Sequence, residues 1–171
     1  MKKFGSGDKG ETIVGKEKVK KSECLVDALG DLDELNCVLG ICRSLIKDND
    51  LNEIIKNIQT KIFEISSIIA GFEKYKISEE DIKNIEKKIE SIENSLKPLN
   101  NFIYISGSLE FTFLQYARAI CRRAERSLWK LKEKRNLDYN VLIYINRLSD
   151  FLFSLSRLIK ERKNENYEVW K

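Results

Sequence analysis

The sequence predicts an all-α fold, a five-helix antiparallel bundle, and three observations predict it. The only proline is Pro98, and most of the eight glycines lie before residue 41, so the rest of the chain has few helix breakers. Apolar residues recur at three- and four-residue steps through segment after segment. With 171 residues, 42% of them hydrophobic and 34% charged, the chain fits one globular domain that buries its own core.

The first helix is expected over residues 23–46, where Leu25, Ala28, Leu29, Leu32, Leu35, Leu39, Cys42 and Leu45 share a face. A second spans 51–72. Its apolar positions Ile54, Ile55, Ile58, Ile62, Ile65, Ile68 and Ile69 become nearly continuous, which predicts burial on more than one side. Ser78 and Asp81 have the spacing of a capping box, and Ile82, Ile85, Ile89, Ile92 and Leu96 then keep a heptad among Lys and Glu, the pattern of a peripheral amphipathic helix. Residues 100–107 interrupt the helices, with Phe102, Ile103, Tyr104 and Ile105 extended and Ser108 placed to cap a fourth helix running to about residue 134. Asp138 can cap a fifth, whose seam is Val141, Ile145, Leu148, Leu152, Leu155 and Ile159. The chain thus divides into an N-terminal segment 1–22, a bundle 23–163 and a tail 164–171.

The 31 basic and 27 acidic residues leave a net charge of +4, too small to require a nucleic-acid partner. Cys24, Cys37, Cys42 and Cys121 sit in apolar-periodic segments without C-x-x-C spacing and read as reduced, buried thiols. No apolar run approaches the roughly 20 residues that cross a bilayer, and the charged, glycine-rich start is unlike a signal peptide, so no membrane association and a cytoplasmic location are expected. The chain has no histidine, which excludes Ser-His and Cys-His catalysis and imidazole-bound metals. Chemistry without an imidazole base favours a nucleophile that a bound small molecule supplies ready-made.

Gly5, Gly7 and Gly10 spell G-x-G-x-x-G, but no strand can precede them, and residues 10–16 imitate a phosphate loop with Glu17 where Ser or Thr would stand. What remains is a glycine-rich stretch with Ser6, Asp8, Lys9 and Thr12, whose amides and cation can wrap phosphates; read alone it is a flexible terminus. On the fourth helix Arg118, Arg122 and Glu125 share one stripe, with Phe111 and Trp129 further along it, beside the seam of Ala117, Cys121, Ala124, Leu128 and Leu131. That stripe is either a solvated ion-paired face or an anion site built from arginine forks. On the fifth helix Tyr139, Asn146, Asp150, Phe153 and Arg157 share a face, and Asp31, Asp33 and Glu34 interrupt the first helix in the same way. Ion network and substrate contact both remain open for these polar stripes.

Four segments in order resemble the PduO-type ATP:cob(I)alamin adenosyltransferases, and the likeness spans nearly the whole chain. They are Ser6-Gly7-Asp8-Lys9-Gly10-Glu11-Thr12, Gly30-Asp31-Leu32-Asp33-Glu34-Leu35-Asn36, Cys121-Arg122-Arg123-Ala124-Glu125-Arg126 and Asn146-Arg147-Leu148-Ser149-Asp150-Phe151-Leu152-Phe153. The resemblance implies a ferritin-like five-helix bundle, a homotrimer with sites between subunits, and transfer of the 5′-deoxyadenosyl group of ATP to cob(I)alamin. It implies ATP contacts from Gly5, Ser6, Gly7, Asp8, Lys9, Gly10, Thr12 and Lys21, and from Arg122, Arg123, Glu125, Arg126 and Asn146. By the same likeness Asp33 pairs with Arg118 across the subunit boundary, Phe102, Asp150 and Phe153 meet the corrinoid, and Arg122 with Phe102, Asp33 and Arg118 forms the catalytic set. Mg2+ accompanies the triphosphate, with no protein ligand identified, and a reductase is an expected partner. Phe4 in place of a Thr and Leu25 in place of an Arg depart from the family pattern. The competing expectation is a non-catalytic helical trimer that binds nucleotide or polyphosphate through the same arginines.

Overall fold

The computed structural model describes Gly5 and residues 7–171; Phe4 and Ser6, both singled out above, lie outside the described residues. Five helices follow a short hairpin: β1 (Glu11–Val14), β2 (Glu17–Lys20), α1 (Cys24–Leu45), α2 (Asn49–Ile69), α3 (Glu79–Glu93), α4 (Leu109–Lys132) and α5 (Tyr139–Arg162). α4 lies between α1 and α5, with α2 packed on α1 and α3 on α5. An ion pair between Lys61 and Asp81, 2.8 Å apart, ties α2 to α3.

The periodic residues form the core. Leu25, Ala28, Leu32, Leu35, Leu39 and Cys42 of α1 are buried, as are Ile55, Ile58, Ile62, Ile65 and Ile69 of α2. Each such aliphatic side chain contributes roughly 1.5–3 kcal/mol by leaving water. α2 buries one broad stripe, not two sides: Ile54 and Ile68 are only half-buried, and Phe63 is exposed. α3 is peripheral, with Ile85 alone fully buried, and it ends before Leu96.

The caps agree with the sequence in two of three places. Ser78 Oγ accepts from the Asp81 N–H at 3.2 Å and Asp81 Oδ2 accepts from the Ser78 N–H at 2.9 Å, while Asp138 Oδ1 accepts from the Asn140 N–H at 3.0 Å. Ser108 is a correction: its side chain caps nothing, and its backbone N–H instead donates to Glu165 Oε2 at 3.0 Å. A carboxylate from the far end of the chain therefore supplies the negative charge that the N-terminus of α4 favours.

Two of the four cysteines depart from expectation, since Cys37 is exposed and Cys24 half-buried. Cys42 and Cys121 are buried, and burial pushes the Cys42 thiol up to about 12 and raises the Cys121 thiol as well, so both stay protonated and unreactive.

The N-terminal segment is not a free tail beyond Glu11. β1 and β2 pair antiparallel from Glu11 opposite Lys20 to Val14 opposite Glu17, and Val19 is buried against the bundle. The two-residue turn begins at Gly15, whose φ of +58° suits glycine, and a Cβ there would overlap the Ala70 carbonyl oxygen at the end of α2. The chain's end is held too. After α5 it folds back so that Val169 bridges Ile103, Tyr104 N–H donates to the Glu168 carbonyl at 2.8 Å, and Trp170 N–H donates to the Phe102 carbonyl at 2.9 Å.

Gly15→Ala is expected to release the hairpin from α2 at a cost of about 1–3 kcal/mol in local opening, the scale of one strained φ. Hydrogen exchange checks this: amides of β1 and β2 should lose protection while those of α4 and α5 keep theirs.

Candidate active site

The polar stripes of α4 and α5 face one cleft of about 740 Å³, closed at one end by the C-terminal end of α3 and the loop that carries Phe102. Arg118 and Arg122 reach it from successive turns of α4. Arg118 Nε donates to Gln115 Oε1 at 2.8 Å, and its guanidinium lies 5.8 Å from the centre of the Phe153 ring. Arg122 is exposed and has no ion pair among the described residues. Burial, and after it the neighbouring Arg122 cation, hold the Arg118 guanidinium below its ordinary value. Two cations one turn apart, repelling each other without an acid between them, form a site that an anion relieves.

The other charges of the cleft are largely spent. Arg157, 5% exposed, donates to Glu93 Oε2 and to the Lys97 carbonyl, both at 2.5 Å, and its guanidinium also lies 5.9 Å from the Phe153 ring centre. It therefore cancels Glu93 and pins the loop after α3. Asp150 is exposed at the same cleft and is the one carboxylate there without an arginine. Phe102 is 81% exposed at the cleft mouth, its ring edge-to-face with Trp170 at 6.4 Å. A phenylalanine this open is not a core residue; the ring is available to a ligand.

The remaining residues singled out from the sequence divide among other places. Asn146 Nδ2 donates to Glu125 Oε1 at 3.0 Å, and Asn146 Oδ1 accepts from Arg147 Nη1 at 2.8 Å. Arg126 Nη1 donates to the Arg122 carbonyl at 2.9 Å. Arg123 is committed within the chain to Asp31, at 2.8 Å, and to Glu34, while Ser127 donates to the same Asp31 at 2.6 Å. Beside that network Arg126 and Lys130 line a groove of about 480 Å³ between α1 and α4. In the N-terminal segment the Lys21 ammonium folds over Gly7, where any side chain would crowd it, and the Lys21 N–H donates to the Gly10 carbonyl at 2.8 Å. Asp8 N–H donates to the Gly5 carbonyl, and Lys9 is exposed. Thr12 and Asp33 line a separate cavity of about 550 Å³ between the hairpin, α1 and α2.

One chain therefore does not bring the N-terminal segment and Asp33 to the Arg118 cleft. Asp31 and Asp33, two positions apart and so about 200° apart around α1, face different neighbours: Asp31 meets α4, whereas Asp33 is exposed. Among the described residues no cluster of His, Cys, Asp and Glu has the size to hold a metal ion. Sequence reading missed Gln115, Glu93 and Trp170. Gln115 carries a visible signal, an amide inside the apolar seam three residues before Arg118; nothing in the sequence marks Trp170 as the partner of Phe102.

Fold and cleft together define a helical-bundle protein whose paired arginines and open aromatic face are suited to a polyanion beside a large flat ligand. Residues 3–159 match the family model described as cobalamin adenosyltransferase, and the chain belongs to that family. It is 33% identical to corrinoid adenosyltransferase PduO of Citrobacter freundii, with 97% of this chain matched; the chain spans about half of that relative, 52% of its length. It is 31% identical to the corrinoid adenosyltransferase of Bacillus subtilis, over 92% of this chain and 85% of the relative. A variant of the PduO-type ATP:corrinoid adenosyltransferase from Lactobacillus reuteri, solved in complex with cobalamin and ATP, superimposes with a TM-score of 0.90 at 29% identity, over 99% of this chain and 98% of that one.

Because the Phe102 ring is so exposed, Phe102→Ala is expected to change unfolding free energy by no more than about 1 kcal/mol, the worth of one aromatic pair. Denaturant titration checks it, and a loss of about 3–5 kcal/mol would mark a core aromatic instead.

Proposed function

We propose that the chain carries out its family's reaction, moving the 5′-deoxyadenosyl group of ATP onto the cobalt of cob(I)alamin with release of triphosphate. The observation that carries this reading is the uncompensated Arg118–Arg122 pair opening on the same cleft as the exposed Phe102 ring. The direct test mixes the protein with ATP and chemically reduced cobalamin. Appearance of the adenosylcobalamin spectrum with stoichiometric triphosphate supports the reading, and binding without turnover rejects it.

In this reaction the cobalt(I) electron pair forms a bond to ribose C5′ while the C5′–O5′ bond breaks and its electrons leave with the triphosphate. No proton has to be removed, which suits a chain without histidine. The protein's work is positioning and charge. Arg122 stabilises negative charge growing on the leaving oxygen, in a cleft whose bound ligands exclude water, while Arg118 receives Asp33 of a neighbouring copy and so fixes the geometry of the shared site. Phe102 offers an apolar ring without a lone pair, so packed against the corrin it keeps water from the metal. Asp150 and Phe153 line the same corrinoid side. Magnesium accompanies the triphosphate, and a reductase supplies the electrons for cobalt(I).

The ATP site is completed by a second copy of the chain in a homotrimer, in the cytoplasm. Three features support the second copy: Thr12 and Asp33 line a cavity apart from the arginine cleft, Asp33 is exposed with no ion pair among the described residues, and Ile13 and Phe63 beside it are 69% and 62% exposed. Covering that apolar rim with a copy that brings its arginines to Asp33 and to the glycine-rich segment resolves all three. Gly5, Ser6, Gly7, Asp8, Lys9, Gly10, Thr12 and Lys21 then wrap the phosphates against Arg122, with Arg123, Glu125, Arg126 and Asn146 around the nucleotide.

Arg122→Lys is expected to fold normally and to lose roughly 2–4 kcal/mol of transition-state stabilisation, because a point charge does not replace a two-pronged fork. Steady-state kinetics read this as a fall in kcat, and unchanged turnover rejects a phosphate role. Asp33→Asn is expected to lower activity and loosen the assembly, whereas Asp33→Arg combined with Arg118→Asp recovers part of what either charge reversal loses. Sedimentation with activity assays checks the pair; a fully active monomer removes the shared site.

A further inference from the structure

Gln115 is the only amide among the buried residues of α4, set among Phe111, Leu114 and Ala117 and itself 3% exposed. An apolar side chain fills such a position without desolvating an amide, so the amide needs a reason. Its bonds supply one. Gln115 Nε2 donates to Ser156 Oγ on α5 at 2.7 Å, and Ser156, fully buried, donates onward to the Phe153 carbonyl at 2.7 Å. With its donor side anchored, the Gln115 carbonyl faces the other way and accepts from Arg118 Nε at 2.8 Å.

We propose that Gln115 is a positioning residue for the transfer reaction, holding the Arg118 guanidinium in one orientation at the cleft; the inference rests on the role given to Arg118 above. The geometry explains why the bond is to Nε. The Nε–H lies in the guanidinium plane, so fixing it fixes the plane, and both terminal nitrogens stay free as a fork for an incoming carboxylate or phosphate. Phe153 limits the remaining rotation, since its ring lies 5.8 Å from the same guanidinium and its carbonyl ends the hydrogen-bond chain. Arg118 is thereby oriented from α4 and α5 at once. An unheld arginine beside Arg122 otherwise swings toward water, away from both the burial and the like charge that it meets in the cleft. A Gln–Ser pair that merely joined two helices does not require an arginine on its outer oxygen.

The experiment is a double-mutant cycle in the full-length protein, with adenosyl transfer and melting temperature measured for Gln115→Leu, Arg118→Ala and the double variant. Gln115→Leu is expected to lower kcat roughly ten- to a hundredfold, the scale of a misplaced catalytic group, and to cost less than about twofold once Arg118 is already alanine. Gln115→Glu, which keeps an oxygen for Arg118, should restore most of the rate. The Arg118 Nε–H signal in nitrogen-15 spectra should exchange slowly in the parent and rapidly in Gln115→Leu. If Gln115→Leu does not fold, Ser156→Ala replaces it and should show the same dependence on Arg118. Equal losses with and without Arg118, or full activity of the folded Gln115→Leu, overturn the inference alone. Full activity of Arg118→Ala overturns the role given to Arg118, and the inference with it.

Discussion

The architecture depends on α4 having to satisfy two neighbours at once. Packed between α1 and α5, it buries Ala117, Ile120, Cys121, Ala124 and Leu128 on one broad seam, and small residues recur on it where a third helix must come close. What is left for polar side chains is the narrow border of that seam. Arg118 and Arg122 stand on the border and share a half-apolar cleft with α5; Arg123 stands on the opposite border and meets α1. One residue's offset along the helix thus separates an arginine held in an internal ion pair from one left open, because each step turns the side chain by about 100°.

Most of the fold was legible because the physics that sets it is local. The periodicity of Ile and Leu placed every helix to within a few residues, and the Ser78 and Asp138 caps are contacts between near neighbours in the chain. The features that escaped are those in which distant segments meet. Glu165 takes over the capping of Ser108 from 57 residues away, and Trp170 reaches Phe102 across the whole of α4 and α5. Gly15 needs a positive φ, but its close approach to Ala70 depends on where α2 ends. Cys37 falls in an apolar-looking segment whose outer face stays uncovered in a single chain. The polar residues singled out from the sequence were legible one by one and not in their grouping: Arg118, Arg122, Arg123 and Asp33 all stand out in the sequence, and only helix phase and packing sort them into different clefts.

That sorting bears on how such a protein separates binding from chemistry. The groove beside Arg126 and Lys130, the cavity beside Asp33 and the cleft beside Phe102 carry different charge and different amounts of apolar surface. A polyanion favours the groove of Arg126 and Lys130 and the Arg118–Arg122 side of the Phe102 cleft, a broad apolar ligand favours the aromatic side of that cleft, and the Asp33 cavity, whose only charged lining group is a carboxylate, favours a cation. If a second copy closes the distance between them, each substrate approaches a surface already shaped for it, and the reacting atoms meet only where the surfaces join. On the proposed assembly, turnover depends on the contact between copies, because one chain keeps Thr12 and Asp33 apart from the Arg118 cleft.

The lack of histidine fits this division of labour more closely than it fits a deficit. A general base is worth having when a proton must leave in the rate-limiting step. Where the nucleophile arrives already as a metal-centred electron pair and the leaving group is a triphosphate, a titratable base adds nothing, and fixed positive charge does the useful work at any ordinary pH. Arginine provides that charge without titrating, even when burial and a neighbouring cation lower its proton affinity, as at Arg118. Its liability is flexibility: a long side chain beside a like charge swings toward water. A buried amide bonded to Nε, a ring against the guanidinium face and a helix on either side answer that liability by holding the plane of the charge. For the proposed reaction, rigid placement of cations, not proton traffic, is therefore what the bundle has to supply.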